Sequence, residues 1–147
     1  MAETFEASTS VDVAAPPEVV WRALTDPELV RAYMHGTDLS TDWQVGHPVT
    51  WRGEWQGRAY EDKGVVVACE RPRLLAVTHW SPLTGEPDTP EYYHHVRYDL
   101  EPLADGGTRV RLTHGNSPTQ EAADQMVTNG WAPTLQGLKQ TAEHAAR

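Results

Sequence analysis

The sequence predicts an α+β domain in which an antiparallel sheet of about seven strands grips a long C-terminal helix around a pocket. Short segments that alternate between apolar and polar residues fill the middle of the chain, as strands do. The C-terminal part has apolar residues at helical spacing. Six Trp and five Tyr against one Phe give rings with polar tips, which suit the lining of a partly polar cavity.

The N-terminal segment predicts one strand followed by two short helices. Phe5–Val13 alternates strictly, which is typical of a half-buried strand. Prolines stop that strand, and a short helix is expected over Pro17–Leu24. Asp26 and Pro27 are suited to the cap and first turn of a second helix, which is expected to end near residues 35–36.

The central region, from Leu39 to Gly115, is predicted to be strands joined by turns. Residues 58–69 and 74–80 form two of these strands, and the proline-rich segment Ser81–Glu91 is expected to be an exposed loop. In the strand before them, alternation places four residues on the inward face. They are Val49, Trp51, Gly53 and Trp55.

The segments Tyr92–Leu103 and Thr108–His114 are predicted to form a hairpin whose register follows from its apolar faces. Pairing those faces leaves Ala104–Gly106 as the loop, with glycine free to adopt a left-handed conformation. The opposed pairs are Leu100 with Val110 and Tyr98 with Leu112.

That register also turns two histidines inward. His114 falls opposite Val96 and diagonal to His94, so both rings are expected among apolar side chains. The residues that alternate with these inward positions along the two strands, among them His95 and Arg111, point outward.

The C-terminal segment predicts one long, interrupted helix. Ser117–Gln120 matches a capping box with proline at the first helical position, and the helix is expected to continue to about Ala146. Its apolar face holds Val127, Trp131, Leu135, Leu138, Ala142 and Ala145. A kink is expected near Gly130 and Pro133, because proline cannot donate to the carbonyl of Asn129.

Several segments, taken in their order and spacing, are similar to those of a known superfamily. They are Val11–Pro27, Asp42–Gly46, Pro72–Trp80, Asp105–Val110 and Gly130–Lys139. Together they resemble the SRPBCC, or START-like, superfamily, which includes the birch-pollen allergen. Within it, the chain looks most like the group named for the activator of heat-shock protein 90 ATPase. The likeness spans nearly the whole chain.

The resemblance implies a helix-grip fold. In that fold a curved antiparallel sheet wraps round the C-terminal helix, and two short helices after the first strand close one end of a cavity. It also implies a single domain over residues 1–147. Related proteins bind lipids, sterols, plant hormones or polyketides, and some are cyclases or aromatases. The expectation is therefore a concave apolar site and not a named reaction.

Candidate ligand-binding residues follow from alternation and from this fold. Trp51 and Trp55 are the best of them, although the same rings would also suit a filled core. Tyr33 is a candidate for the cavity mouth, and the sequence leaves open whether His79 or Trp80 points inward. The full set is Tyr33, Trp51, Trp55, His79, His94, Val96, Tyr98, Leu112, His114, Trp131 and Leu135.

The inward pair His94 and His114 has two interpretations. Burial disfavours charged imidazole, so two neutral rings could orient a ligand or act as general base and acid in a cyclisation or dehydration. The plainer interpretation is a pair of hydrogen-bonded core histidines. No metal site or other cofactor is expected, because the pair has no third ligand and Cys69 has no pairing motif.

Composition narrows the partners and the compartment. A net charge of −9 makes nucleic acid and anionic membranes poor partners. The lone Cys69 cannot form an intramolecular disulfide, and the first residues lack the basic and apolar regions of a signal peptide. The longest apolar run, Val65–Cys69, is too short for membrane insertion. A cytoplasmic protein is expected, with a homodimer possible through an exposed sheet edge.

Three functions are considered, in decreasing order of support. The first is binding of a small hydrophobic or aromatic molecule, lipid- or polyketide-like. The second is a polyketide cyclase or aromatase that uses the cavity histidines without a metal or nucleotide cofactor. The third is a co-chaperone of the heat-shock protein 90 type, which ranks last because the namesake works with a separate N-terminal domain absent from this sequence.

Overall fold

The computed structural model describes residues 4–147, so residues 1–3 of the expected domain lie outside it. The strands are β1 (Phe5–Val13), β2 (Asp38–Ser40), β3 (Pro48–Trp55), β4 (Arg58–Glu70), β5 (Leu74–His79), β6 (His94–Pro102) and β7 (Thr108–Ser117). They form one curved 7-stranded sheet in the order β1-β7-β6-β5-β4-β3-β2. Strands β1 and β2 are therefore the edges of the sheet. Every neighbouring pair is antiparallel.

The helices complete the predicted α+β architecture. Two short helices, α1 (Pro17–Thr25) and α2 (Pro27–Tyr33), follow the first strand. The C-terminal helix consists of α3 (Gln120–Gln125), a π-helical segment (Met126–Trp131) and α4 (Ala132–Ala145). The helix-grip class and the two helices after β1 are therefore confirmed. No helix among residues 4–147 is long and apolar enough to cross a membrane.

The junction between α1 and α2 forms as its sequence predicts. The side chain of Asp26 accepts a hydrogen bond from the backbone N–H of Glu28 at 3.0 Å, and Pro27 occupies the first turn of α2. Asp26 thus caps α2, which is typical of Asp followed by Pro. Helix α1 buries Val20 and Trp21 against the core.

The predicted β6–β7 register is confirmed. Leu100 pairs with Val110, and Tyr98 pairs with Leu112. The connecting turn places Gly106 at φ +90°, a left-handed conformation that glycine adopts without steric cost. Because side chains alternate along a strand, this register fixes which residues of the hairpin face the helix.

The start of the C-terminal helix differs from the prediction. Ser117 is not the cap, because β7 continues through it and pairs it with Phe5 of β1. The cap is Thr119, whose hydroxyl accepts from the backbone N–H of Ala122 at 3.0 Å. Strand pairing holds Ser117 in the sheet, and the next residue with a suitable side chain takes over.

The predicted interruption of that helix takes the form of a wider turn. The backbone N–H of Ala132 bonds to the carbonyl of Val127, five residues earlier, directly before Pro133. Proline has no N–H for the carbonyl of Asn129, and a π-helical segment accommodates such a gap. The hydroxyl of Thr134 donates to the carbonyl of Gly130 at 2.9 Å.

The β5–β6 connection contains regular turns as well as irregular loop. It contains two single 3₁₀ turns, Pro82–Thr84 and Pro90–Tyr92, and its first residue, Ser81, is buried. The indole N–H of Trp80 donates to the carbonyl of Glu86 at 3.1 Å. Most of the segment is exposed, as predicted, whereas Ser81 is buried and the carbonyl of Glu86 folds back onto the sheet to meet Trp80.

The core lies between the sheet and the C-terminal helix. Helix α4 packs on β1, α1 and α2. Leu112, Leu135 and Leu138 are almost completely removed from solvent there, and each such side chain is worth roughly 1.5–3 kcal/mol of burial.

Candidate functional site

A cavity of about 240 Å³ lies between strands β3–β6 on one side and α2 with the C-terminal helix on the other. Its wall is mostly aromatic and aliphatic. Seven of the candidate residues line it: Tyr33, Trp51, Trp55, His79, Val96, Tyr98 and Trp131. Further lining residues that the sequence analysis did not select include Trp43, Tyr60, Asp62, Leu83 and Thr134.

Trp51 and Trp55 follow the predicted inward face of β3. Trp55 is 47% exposed, and its ring meets His35 edge-on with centroids 5.5 Å apart. Trp55 therefore lies at the rim of the cavity. Trp51 lies deeper, in edge-to-face contact with His79 at 5.1 Å between centroids.

Tyr33, at the end of α2, forms part of the helical wall. Its hydroxyl donates to the carbonyl of Ala23 at 2.8 Å. A Cβ at Gly137 of α4 would lie only 2.8 Å from the Cβ of Tyr33, so the absence of a side chain there allows the close approach. Burial raises the pKa of the Tyr33 hydroxyl well above its usual range, and this group stays neutral.

Tyr60 joins the β3–β4 hairpin to the segment that follows α2. Its hydroxyl oxygen lies 2.6 Å from that of Thr37. On the neighbouring strand, a Cβ at Gly53 would lie 2.5 Å from the Tyr60 hydroxyl. Glycine at that position therefore lets the phenol ring lie across β3 and reach Thr37.

Tyr98 and Trp131 meet at the junction of sheet and C-terminal helix. Their rings are nearly perpendicular, at 89°, with centroids 6.5 Å apart. This edge-to-face geometry is one that aromatic pairs prefer. Burial raises the pKa of the Tyr98 hydroxyl, which remains a neutral group beside the cavity.

Asp62 and His79 supply the polar part of the wall. The His79 Nε2 lies 2.9 Å from the Asp62 Oδ2, and the two side chains are only 21% and 16% exposed. The other carboxylate oxygen, Asp62 Oδ1, is buried without a hydrogen-bond partner in the described chain. The strands approach closely beside this pair, where a Cβ at Gly64 would lie 1.7 Å from the carbonyl oxygen of Thr78.

His79, and not Trp80, lines the cavity. The Trp80 ring stacks on Tyr93 with centroids 6.3 Å apart, and the Lys63 ammonium lies 5.6 Å from its centroid. These contacts are on the other face of the sheet. The choice that the sequence left open is therefore settled by geometry.

His94 and His114 are buried, as their predicted inward orientation requires, but neither lines the cavity. Their rings stack with centroids 4.8 Å apart. The indole N–H of Trp131 donates to Nδ1 of His114 at 2.9 Å, so a cavity residue covers the pair. His94 Nε2 lies 3.0 Å from a carboxylate oxygen of Glu86.

The environment of His114 keeps its ring uncharged. Burial lowers its pKa to about 4, with further lowering from the charges of His94 and His79. His114 Nε2 and His94 Nδ1 are both buried without partners among residues 4–147. A neutral, enclosed ring of this kind is suited to structure and holds Trp131 in place.

Leu112 and Leu135 also lie outside the cavity. Both are buried in the core between the sheet and the C-terminal helix. Their side chains face inward, but they meet packed core and not the cavity. The expectation that Leu112, Leu135, His94 and His114 line the cavity is therefore wrong.

Within residues 4–147, no group of three or more His, Cys, Asp or Glu is arranged to hold a metal ion.

One feature of the sequence could have identified Asp62 as a residue of the cavity wall. Alternation along β4 places Asp62 on the same face as Tyr60 and the buried Val66. A carboxylate on an otherwise inward strand face is uncommon unless it is paired. Trp43 gave no such signal, because it lies in a loop at φ 59° and is positioned by an indole N–H bond to the carbonyl of Thr25.

Comparison with known proteins identifies relatives of this arrangement. The solution structure of ChR145 from Cytophaga hutchinsonii is 40% identical, with 96% of this chain and 95% of that chain covered and a TM-score of 0.80. The Aha1 dimer from Colwellia psychrerythraea is 22% identical, with 95% and 96% covered and a TM-score of 0.69. Ara h 8.0201 is 13% identical, with 95% and 98% covered and a TM-score of 0.72.

The last two likenesses, at low identity, concern the fold alone. Comparison with curated proteins gave no match. The family described as Activator of Hsp90 ATPase homolog 1-like protein matches residues 14–143. That match spans most of the chain, and the predicted resemblance is confirmed. The chain belongs to the family of Activator of Hsp90 ATPase homolog 1-like proteins, within the SRPBCC superfamily.

Proposed function

We propose that this protein binds a small hydrophobic or aromatic molecule in the cavity between the sheet and the C-terminal helix. The observation that carries the proposal is the cavity itself, a hollow walled by Trp43, Trp51, Tyr98 and Trp131. Ligand pockets are concave, mostly apolar and furnished with a few placed polar groups. The Asp62–His79 pair supplies such groups here.

The size of the cavity favours a compact ligand. Its volume of about 240 Å³ falls below the roughly 300–1,000 Å³ of pockets for drug-sized molecules. One or two fused rings, or a short chain, match this volume better than a complete lipid. The aromatic branch of the hypothesis, polyketide-like rather than lipid-like, is therefore the one we favour.

The two alternative functions have less support. A cyclase that uses His94 and His114 would need those rings at the ligand, whereas Trp131 covers them. A co-chaperone role has the family name as its support, and a pull-down with heat-shock protein 90 would test it.

The proposal is tested by thermal unfolding in the presence of small aromatic probes, with a cavity-filling variant. Probe binding to the folded state raises the melting temperature by mass action. Thr134→Phe places a ring where α4 lines the cavity and is expected to abolish the rise. Gln136→Phe, at an exposed position of the same helix, is the matched control and should keep it. An equal rise in both variants would contradict binding in the cavity.

A homodimer and a cytoplasmic location are further proposals. The relative from Colwellia psychrerythraea is described as a dimer, and β1 and β2 are sheet edges of the kind that pair between chains. Light scattering coupled to size exclusion measures the mass directly. The location stays an expectation from the sequence.

A further inference from the structure

We propose that the ligand of the cavity carries a protonated amine on its small apolar or aromatic body, with Asp62 as the counter-ion. This inference rests on the proposed ligand-binding function and specifies the chemical class of its ligand. Three features of the cavity support it: the charge of the wall, the unmet hydrogen-bonding capacity of Asp62 and the aromatic side chains on the same wall.

The charge of the cavity wall favours a cation. Asp62 is a carboxylate on the wall, and within the described chain no Lys or Arg lines the cavity. Two cationic side chains of the β3–β4 hairpin are engaged elsewhere, Lys63 with Asp88 and Arg52 with Glu61. The whole chain carries −9, which attracts cations and repels anions at a distance. A ligand carboxylate would meet Asp62 with no Lys or Arg on the wall to compensate it, and His79, the imidazole beside Asp62, is already paired with that carboxylate.

Asp62 has hydrogen-bonding capacity that the protein leaves unused. An ionised carboxylate accepts at two oxygens. Oδ2 lies 2.9 Å from His79 Nε2, and Oδ1 is buried with no partner among residues 4–147. Buried carboxylate oxygens are normally paired, because an unmet acceptor away from water is costly. Asp62 lines the cavity and its side chain is 16% exposed, so its carboxylate is the acidic group of the wall with which a ligand donor would pair.

Aromatic side chains line the cavity together with Asp62. Trp51 lies directly opposite Asp62 in the β3–β4 register, and Tyr60 and Tyr98 also line the hollow. Ring faces attract cations through their quadrupole, and indole does so most strongly. A protonated amine gains from both the carboxylate and the rings. A neutral hydroxyl gains only the hydrogen bond.

The outer face of the same sheet already holds a cation in this way. The ammonium of Lys63 pairs with the carboxylate of Asp88 and lies 5.6 Å from the ring centroid of Trp80. Asp62 and Trp51 provide the same two components at the cavity, without a Lys or Arg from the protein. A ligand ammonium would complete that arrangement.

The test compares three probes that share a phenyl ring and an ethyl chain and differ in charge. They are 2-phenylethylamine, 2-phenylethanol and 3-phenylpropanoate, titrated calorimetrically into the full chain at pH 8. Because hydrogen bonds to charged groups are the stronger ones, the amine is expected to bind about tenfold or more tighter than the alcohol. The propanoate is expected to bind weakest. Added salt should weaken amine binding and leave alcohol binding unchanged.

Asp62→Asn identifies the group responsible. This variant keeps the shape of the side chain and removes its charge, so it should lose about tenfold in amine affinity and change alcohol affinity little. Glu61→Gln is the matched control. It removes one charge from the adjacent position, where the side chain is exposed and pairs with Arg52, and it should bind like the wild type.

The outcomes separate the two proposals. Binding of amine and alcohol with equal affinity by the wild-type protein would overturn the amine inference and leave the cavity proposal standing. Failure of all three probes to bind would overturn both. If Asp62→Asn does not fold, the wild-type series alone decides. A folded Asp62→Asn protein that retains the full amine preference would show that Asp62 serves only to position His79.

Discussion

The imidazole of His114 lies between the sheet and Trp131, and its contacts determine which nitrogen carries the proton. The indole N–H of Trp131 donates to Nδ1, so the neutral ring holds its proton on Nε2. A second proton would have to bind at Nδ1 and would displace the indole from its partner. The hydrogen bond from Trp131 therefore opposes protonation of His114, and burial of the ring opposes it as well.

We predict that His114 makes the protein less stable in mild acid. Burial lowers its pKa from 6.5 to about 4, while the unfolded chain takes up the proton near the ordinary value. The unfolded state binds more protons between these two values. The contribution of the neutral ring to the free energy of unfolding is therefore complete above about pH 6.5 and declines as the pH falls toward 4. It amounts to roughly 3 kcal/mol in total.

Urea unfolding across that pH range, together with an NMR titration of the His114 ring, measures this effect. His114→Asn should flatten this part of the profile. His95→Asn, which changes the neighbouring exposed ring on the opposite face of β6, should leave it unchanged. A His114 ring that titrates near pH 6.5 in the folded protein would refute the account of its burial.

At the scale of elements, the approach of α2 to α4 depends on a missing side chain. Tyr33 packs on Gly137, where an added Cβ would lie 2.8 Å from the Cβ of the tyrosine. Both elements line the cavity, so this contact helps to set the position of its helical wall. Glycine inside a helix is otherwise unfavourable, which makes its presence here informative.

We predict that Gly137→Ala destabilises the protein although alanine is the better helix former. Helix propensity alone would stabilise the variant by about 1 kcal/mol. The overlap with Tyr33 should outweigh this and displace α2, for a net loss of about 1–3 kcal/mol as in overpacked cores. Gln136→Ala, at the adjacent exposed position, isolates the propensity effect and should be neutral or slightly stabilising. Thermal unfolding of both variants decides, and a more stable Gly137→Ala protein would disprove the contact.

The elements differed in how well their sequence predicted them. The β6–β7 register could be predicted because both faces of the hairpin are patterned, and only one pairing matches them. The cap at Ser117 was wrong because the pairing of that residue with Phe5 comes from the far end of the chain. The position of the helix interruption followed from Pro133, whereas its π-helical form depends on the surrounding packing.

The site was less predictable than the fold, for a related reason. Alternation showed that His94 and His114 face inward, which is correct. Whether an inward side chain meets a hollow or a packed core depends on where the C-terminal helix lies above the sheet. Trp131 decides this for the histidines, and no local pattern reveals it. Asp62 was visible as a polar residue on an inward face, but its pairing with His79 required the tertiary structure.

In the whole molecule, the sheet and the C-terminal helix close tightly at one end and leave a hollow at the other. Helix α4 packs on β1, α1 and α2, and the core leucines fill that region. The cavity lies over strands β3–β6, toward the rim residue Trp55. We expect a ligand to bind in this hollow.

The most direct test is an NMR measurement of contacts between methyl-labelled protein and the tightest-binding phenylethyl probe. We predict intermolecular NOEs to the methyl groups of Val77 and Val96, which line the cavity, and none to Leu112, which is buried outside it. NOEs confined to Val65 and Val67, which are 40% and 48% exposed on the outer face of β4, would contradict ligand binding in the cavity.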